Sequence, residues 1–323
     1  MSQPRLEGRD EGILADALAL IGRTPVVRLR NLPAPDAAEV VCKLESLNPG
    51  GSVKDRIAVA MVDAAEADGR LQPGDTIVEA TSGNTGIGLA VVAAVRGYRL
   101  VLTMPEDMSA ERRSLFAWYG VEAILTPALE GMSGAVFAAE EVVRRRKAFW
   151  PRQFENPANP AAHAAATGPE LWAQCDGRLD AFVAGVGTGG TLSGCASYLR
   201  SRRSDLRVVA VEPARSPVLG GGRPGPHRLL GLGAGFVPGV FDRSLVDEVL
   251  GCSDEDGFET ARLLACREGL LVGPSSGAAV WGALRVAAEC GPGRRVACIL
   301  PDGGDRYASL LPWALRREGG GGR

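Results

Sequence analysis

Histidine is scarce and cysteine is scattered. The 323 residues hold only His163 and His227, and seven cysteines stand singly at Cys42, Cys175, Cys195, Cys252, Cys266, Cys290 and Cys298. Without a CxxC pair or a His/Cys cluster the chain lacks the spacing of a metal site, so no metal is expected. An odd set of cysteines in apolar surroundings, with no secretory signal, reads as reduced thiols packed as small hydrophobes, and the cytosol is the expected compartment. Long apolar runs are missing too: nothing approaches the ~18–20 residues that span a bilayer, and no membrane partner is expected. Charge of one sign accumulates nowhere beyond 143-VRRRK-147, which suits an exposed helix end, and the formal net charge is -2. Nucleic acid is therefore not an expected partner.

What the chain does contain is an ordinary globular composition, 46% hydrophobic and 23% charged. Its length exceeds what one core usually supports, which favours two lobes. Apolar runs of strand length recur at 76-TIVEA-80, 99-RLVLTM-104, 122-EAILT-126, 181-AFVAGV-186, 207-RVVAVE-212 and 296-VACIL-300. Several lead through a turn into helical periodicity, as at 86-GIGLAVVAAVRG-97 and 109-SAERRSLFAWYG-120, the latter opened by Ser109 as a plausible N-cap. Each of these two helices stops at glycine. Such alternation predicts an α/β protein with mainly parallel sheets covered by helices. The segment 151-PRQFENPANPAAH-163 fits neither period and is the candidate crossing between lobes. The glycine-rich stretch 219–239 reads as a long loop at a functional edge, and residues 317–323 as a disordered tail.

Four stretches carry chemistry. In 50-GGSVKDR-56 a single lysine sits between a glycine-serine turn and a helix start. Lys54 is either an ordinary solvated cation or an amine held at a helix entrance because it reacts. In 184-AGVGTGGTLSG-194, glycines at 185, 187, 189 and 190 follow a strand and lead into a helix. Glycines let several N–H groups converge on one anion while the helix N-terminus adds partial positive charge, which makes a phosphate cup; the bland alternative is a tight turn with no ligand. Glu212 stands where a dinucleotide site would want an acid, but this loop is not on the first βα unit. In 79-EATSGNTGIG-88, Thr81, Ser82, Asn84 and Thr85 put hydroxyls and an amide at a helix start, suited to a carboxylate and more than capping alone needs. In 271-LVGPSSGAAVWGA-283, Ser275 or Ser276 reads by itself as an N-cap.

A reactive amine, a phosphate cup and a carboxylate loop together suggest a Schiff base with a phosphorylated aldehyde, acting on an amino acid. Here the order of motifs becomes specific. The segments 21-IGRTPVVRL-29, NPGGSVKDR, TSGNTGIGLA, TMPEDMSAERR, RQFENPANP, TGPE, GVGTGGTLSG, GLGAGF and SSGAA closely resemble, in that order, the motifs of the cysteine synthase (O-acetylserine sulfhydrylase) family. That family belongs to the β-family enzymes of pyridoxal-phosphate fold type II, and the likeness runs from about residue 11 to about residue 315.

The resemblance implies two three-layer α/β lobes of the tryptophan synthase β-like type: a larger cofactor domain from 1–46 plus 158–316 and a smaller, mobile substrate domain over 47–157. It implies pyridoxal 5'-phosphate held by Lys54 as the internal aldimine, with Lys54 later moving the Cα proton. Asn84 would bond the cofactor's phenolic oxygen, Gly187, Thr188, Gly189, Gly190 and Thr191 its phosphate, and Ser275 would face the pyridine nitrogen. Thr81, Ser82, Thr85 and Gln153 would bind the substrate carboxylate. A hydroxyl does not keep the pyridine nitrogen protonated as an aspartate would, so elimination of a good β-leaving group suits the site better than transamination. The implied reaction is β-replacement: O-acetyl-L-serine loses acetate to give an α-aminoacrylate, and sulfide adds to give L-cysteine. The rivals are a cystathionine β-synthase using serine and homocysteine, a serine or threonine dehydratase, and a regulatory protein that binds serine acetyltransferase. A homodimer is expected, with a serine acetyltransferase complex as a possible further partner.

Two places depart from the pattern. The stretch between Ser216 and His227 is shorter than in many cysteine synthases, and 300-LPDGGDRY-307 carries Asp302 and Gly303 where common members have serines. Asp302 reads first as a cap or turn residue.

Overall fold

The computed structural model describes residues 12–310 apart from 82, 108 and 109, together with the side chains in that range other than those of 110–112, 309 and 310. Ser82, Ser109 and the tail 317–323 lie outside the described residues.

The chain begins with strands β1 (Val26–Arg28) and β2 (Glu39–Leu44) and enters helix α1 (Lys54–Ala67). There follow β3 (Thr76–Ala80), α2 (Asn84–Arg96), β4 (Arg99–Pro105), α3 (Ala110–Trp118), β5 (Glu122–Thr126) and α4 (Gly131–Arg146). Three helices come next, α5 (Ala158–Ala162), α6 (Gly168–Gln174) and, after β6 (Ala181–Gly185), α7 (Gly190–Arg202). The last elements are β7 (Arg207–Pro213), β8 (Glu248–Cys252), α8 (Asp254–Leu263), α9 (Pro274–Cys290) and β9 (Arg295–Leu300).

Two sheets form. One has the order β1-β2-β9-β6-β7-β8 and is parallel except for β1, which runs antiparallel at the edge; the other, β3-β4-β5, is wholly parallel. Alternation along the strands divides the apolar side chains between two faces. In the larger sheet Val40, Cys42, Val183, Val209 and Val211 pack with α9, while Val41, Phe182, Ala184, Val208 and Ala210 pack with α6 and α7. In the smaller sheet Ile77, Leu100, Leu102 and Met104 face α1 and α2, and Val78, Ala80 and Val101 face α4. Both sheets are thus helix–sheet–helix layers, the arrangement that parallel strands require because both their faces are apolar. Each fully buried side chain of the size of Phe182 contributes about 1.5–3 kcal/mol.

Strands called from apolar runs are present, with bounds shifted by a residue or so. Two expectations need correction. The segment 151–163 is not irregular throughout: Asn156 Oδ1 accepts the Ala158 N–H at 3.0 Å and starts α5, which continues without a break into a π-helical turn over His163–Thr167. Neither Ser275 nor Ser276 caps α9; Gly273 holds the N-cap position and Pro274 the first turn. The stretch 219–239 contains no helix or strand, as expected. Glu212 is spent on it, accepting the N–H groups of Leu219 (2.8 Å) and Gly220 (3.0 Å).

Candidate active site

The site lies beyond the carboxyl ends of the strands, where open parallel sheets bind ligands. Lys54 is the first residue of α1. The glycines before it are demanded by their neighbours: Gly51 adopts φ +75°, and a Cβ there would meet the Arg306 guanidinium. Gly50 lies over Asp55, whose Oδ2 accepts its N–H at 2.5 Å. Burial pushes the Asp55 carboxyl up to about 7. Ser52 Oγ accepts the Lys54 N–H at 3.2 Å, and the Val53 N–H donates to the Pro301 carbonyl at 2.9 Å, docking the turn on the end of β9. Desolvation lowers the pKa of the Lys54 amine, and the Asp302 carboxylate partly opposes this. A buried amine with a lowered pKa can serve as a nucleophile and then as a base.

Asp302, read from sequence as a cap or turn residue, is instead fully buried and belongs to the site. Its Oδ2 accepts from Asn84 Nδ2 at 2.7 Å and from the Tyr307 hydroxyl at 2.5 Å. Arg306 Nη1 donates to Asn84 Oδ1 at 2.7 Å, and its Nη2 bonds the Gly50 carbonyl. The correction has a physical reason. Its backbone bridges Ser52, beside Lys54, so Asp302 reaches the site through contacts remote in sequence.

Thr85 and Gln153 are in contact, and Thr81, whose Oγ1 accepts the Gly83 N–H at 3.2 Å, precedes the same helix start. All three are buried, and the Thr85 hydroxyl donates to Gln153 Oε1 at 2.6 Å. Behind them Glu79 Oε1 accepts from Trp150 Nε1 at 3.0 Å and from the Ala80 N–H at 3.1 Å, tying the chain just before Gln153 to the end of β3. Burial pushes the Glu79 carboxyl up to about 7.

The loop Gly187, Thr188, Gly189, Gly190 and Thr191 leads into α7. Gly189 adopts φ +84°, and a Cβ there would stand 2.6 Å from Phe241 Cβ; Cβ atoms on Gly187 and Gly190 would collide with the Gly231 carbonyl and the Asn159 amide. Close packing therefore requires these glycines even apart from a ligand. Thr188 Oγ1 accepts from Asn159 Nδ2 at 3.1 Å, and Thr191 Oγ1 shares a hydrogen bond with His163 Nε2 at 3.1 Å. Burial, with Arg56 and Lys54 adding to it, holds the His163 imidazole well below its ordinary pKa and neutral. Ser275 is buried, facing Gly231, where an added Cβ would lie 3.6 Å from its Oγ.

The helices α2, α7 and α9 each begin after a glycine, Gly83, Gly189 and Gly273, which has no side chain to cap with, and at α7 Thr188 Oγ1 accepts the Gly190 N–H at 3.3 Å. A first-turn N–H left without a side-chain partner can serve an anionic ligand, though Pro274, first in α9, has none to offer. A desolvated amine, a glycine cradle at the start of a 13-residue helix and a buried hydroxyl on Ser275 fit pyridoxal phosphate.

Residues 17–302 match the family described as pyridoxal-phosphate dependent enzyme. The chain belongs to that family. Among pyridoxal-phosphate dependent enzymes it is similar to the cysteine synthase of Staphylococcus aureus (strain N315), 54% identical over 291 residues, with 90% of this chain and 94% of the relative covered. Of solved structures it is similar to cysteine synthase (OASS) from Entamoeba histolytica, with TM-score 0.91 and 38% identity over 98% of this chain and 94% of the other. It is similar also to O-ureido-L-serine synthase, with TM-score 0.92 and 46% identity over 95% and 98%. The family's cofactor is pyridoxal phosphate, and the fold is the one those structures share.

Sequence reading missed Asp302, Arg306, Tyr307, Glu79, Asn159 and His163. A signal existed for the first three: 300-LPDGGDRY-307 follows an apolar strand and polar residues crowd its turn, as in the other site loops.

Proposed function

We propose that the chain makes L-cysteine and acetate from O-acetyl-L-serine and sulfide. The observation that carries this reading is the desolvated Lys54 amine lying at the start of α1, in a site bounded by the starts of α2, α7 and α9. Its support beyond geometry is the similarity to cysteine synthases along nearly the whole of both chains.

Pyridoxal phosphate, when bound, supplies the electron sink that lets the substrate Cα proton leave and the β-substituent depart. Lys54 would hold the cofactor's aldehyde carbon and, once displaced by substrate, carry the Cα proton. Thr81, Ser82, Thr85 and Gln153 would hold the substrate carboxylate at the N-terminus of α2. Asn84 would donate to the phenolic oxygen, Gly187, Thr188, Gly189, Gly190 and Thr191 would hold the phosphate, and Ser275 would offer its hydroxyl to the ring nitrogen. Asp302 is the nearby carboxylate, and it is committed to Asn84 and Tyr307.

We read residues 47–157, which contain the whole three-stranded sheet, as the smaller, mobile domain, and the flanking segments as the larger one. A cytoplasmic homodimer completes the reading, with a serine acetyltransferase complex as the further partner to be tested. Among the described residues no helix is long and apolar enough to cross a membrane.

Purified protein should be yellow, change its visible absorbance on addition of O-acetyl-L-serine, and release L-cysteine when sulfide follows. A colourless protein that takes up no pyridoxal phosphate, or one that forms cystathionine from serine and homocysteine but no cysteine from sulfide, overturns it.

A further inference from the structure

We infer that Asp302 and Arg306 act as a clamp on Asn84, fixing which end of its side-chain amide faces the cofactor. The inference rests on the proposed pyridoxal-phosphate function and deepens it.

A side-chain amide has nearly the same shape after a half-turn, but the half-turn exchanges a hydrogen-bond donor for an acceptor. Asn84, the first residue of α2, must present its NH2 group if it is to meet an anionic phenolic oxygen. Its two flanking partners carry opposite charge. The Arg306 guanidinium donates to Oδ1 at 2.7 Å, and the Asp302 carboxylate accepts from Nδ2 at 2.7 Å. Turning the amide over would set NH2 against guanidinium and carbonyl oxygen against carboxylate, two contacts of like polarity in a partly buried place. The charges of the neighbours therefore select one orientation. Asp302 uses one of the two Nδ2 hydrogens and leaves the other for the cofactor.

The clamp is itself held. Tyr307 donates to the Asp302 carboxylate at 2.5 Å, the Gly273 N–H donates to the Asp302 carbonyl at 3.2 Å, and the Asp302 backbone bridges Ser52. Arg306 bonds the Gly50 carbonyl as well, in the turn that delivers Lys54. One small cluster after β9 thus ties together the Lys54 turn, the start of α2 and the start of α9. Asp302 and Arg306 are positioning residues that act on the cofactor through Asn84; the separate pull of the Asp302 charge on the Lys54 amine is read by the pH midpoint of cofactor capture.

A double-mutant cycle tests this. Cofactor dissociation constants are measured by absorbance titration of apoprotein with pyridoxal phosphate for wild type, Asp302→Ala, Asn84→Ala and the double variant, alongside apoprotein melting temperatures. Each single variant should weaken binding about 10-fold, and the double variant should be no weaker than Asn84→Ala alone. Multiplying effects, near ~100-fold in the double variant, would overturn the clamp, as would wild-type binding in Asp302→Ala. Should Asp302→Ala fail to fold, Arg306→Gln, at a half-buried position, is carried through the same cycle with the same expectation and the same overturning result. Wild-type apoprotein that binds no pyridoxal phosphate would instead refute the functional reading on which the clamp rests.

Discussion

Gly88 in α2 lies against Lys54 in α1: a Cβ added to Gly88 would stand 2.9 Å from the Lys54 carbonyl oxygen and 3.1 Å from Ala58 Cβ. The two helices pack backbone to backbone at Lys54. Gly88→Ala must push them apart, an overpacking cost of about 1–3 kcal/mol. The variant should melt several degrees lower and lose cofactor on gel filtration; wild-type melting and cofactor content would refute this account of the contact.

Lys54 is the expected point of covalent attachment. After borohydride reduction of the cofactor-loaded protein, the added mass should appear on the peptide containing Lys54, and Lys54→Ala should show none. Mass on a different lysine in the wild type would end the assignment.

Desolvation lowers the Lys54 pKa from the ordinary 10.5, while Asp302 works in the other direction by favouring the ammonium form. Capture of pyridoxal phosphate by the apoprotein needs the neutral amine, so its rate should rise with pH to a midpoint below the ordinary lysine value. Asp302→Asn removes the opposing charge and should move the midpoint to lower pH. Stopped-flow absorbance across a pH series reads it directly, and an upward shift would contradict the electrostatic assignment.

Glu79 gives a pH dependence of stability with a definite sign. Its folded pKa is raised from 4.5 to about 7, mainly by burial, so the folded state binds the proton more tightly than the unfolded chain. The stability it contributes is present at low pH and lost as pH climbs from about 4 to about 7, on the order of 3 kcal/mol in all. Glu79→Gln should flatten that slope. Urea unfolding of both proteins at intervals from pH 4 to pH 8 compares the two curves, and parallel curves would show that Glu79 is not the source.

O-acetyl-L-serine should be preferred over O-phospho-L-serine by at least ~10²-fold in kcat/KM, because a dianion in a desolvated pocket needs a paired cation. Arg223 and Arg228 are exposed, the latter with its backbone N–H on Asp254, and Arg306 is committed to Asn84 and Gly50. Steady-state assays with sulfide decide it: comparable values for the two substrates would mean that one of these arginines pairs with the leaving group.

Asn84 and the loop 187–191 were legible because each follows a strand, crosses glycine and opens a helix, a pattern contained in a dozen residues, and Lys54 because it leaves a glycine-serine turn to open one. Asp302 was not. A carboxylate after a strand looks like a turn residue until β9 is known to lie beside β2, which brings Asp302 to Ser52 and Asn84. Strand β2 escaped notice for a related reason. It carries Lys43, whose fully buried ammonium is matched by Glu170 at 2.8 Å, Gln174 and the Thr24 carbonyl, none of them near it in sequence. Strand β1 is only three residues long, and β8 is half exposed, so neither shows a clear apolar run. Helix α5 hid behind its proline and asparagines, one of which starts it. Local chemistry was readable, then, and long-range pairing was not.

The pairing of β2 with β9, from Glu39 opposite Arg295 to Leu44 opposite Leu300, has a consequence in time. A ribosome makes Lys54 and Asn84 early, but the strand that leads into Lys54 has no neighbour on that edge until residue 300 has emerged. Ser275 and Asp302 are among the last site residues to be made. A nascent chain therefore carries Lys54 for most of its synthesis before Ser275 and Asp302 exist. A chain cut short of residue 300 lacks both that edge and the Pro301 carbonyl that receives the Val53 N–H beside Lys54.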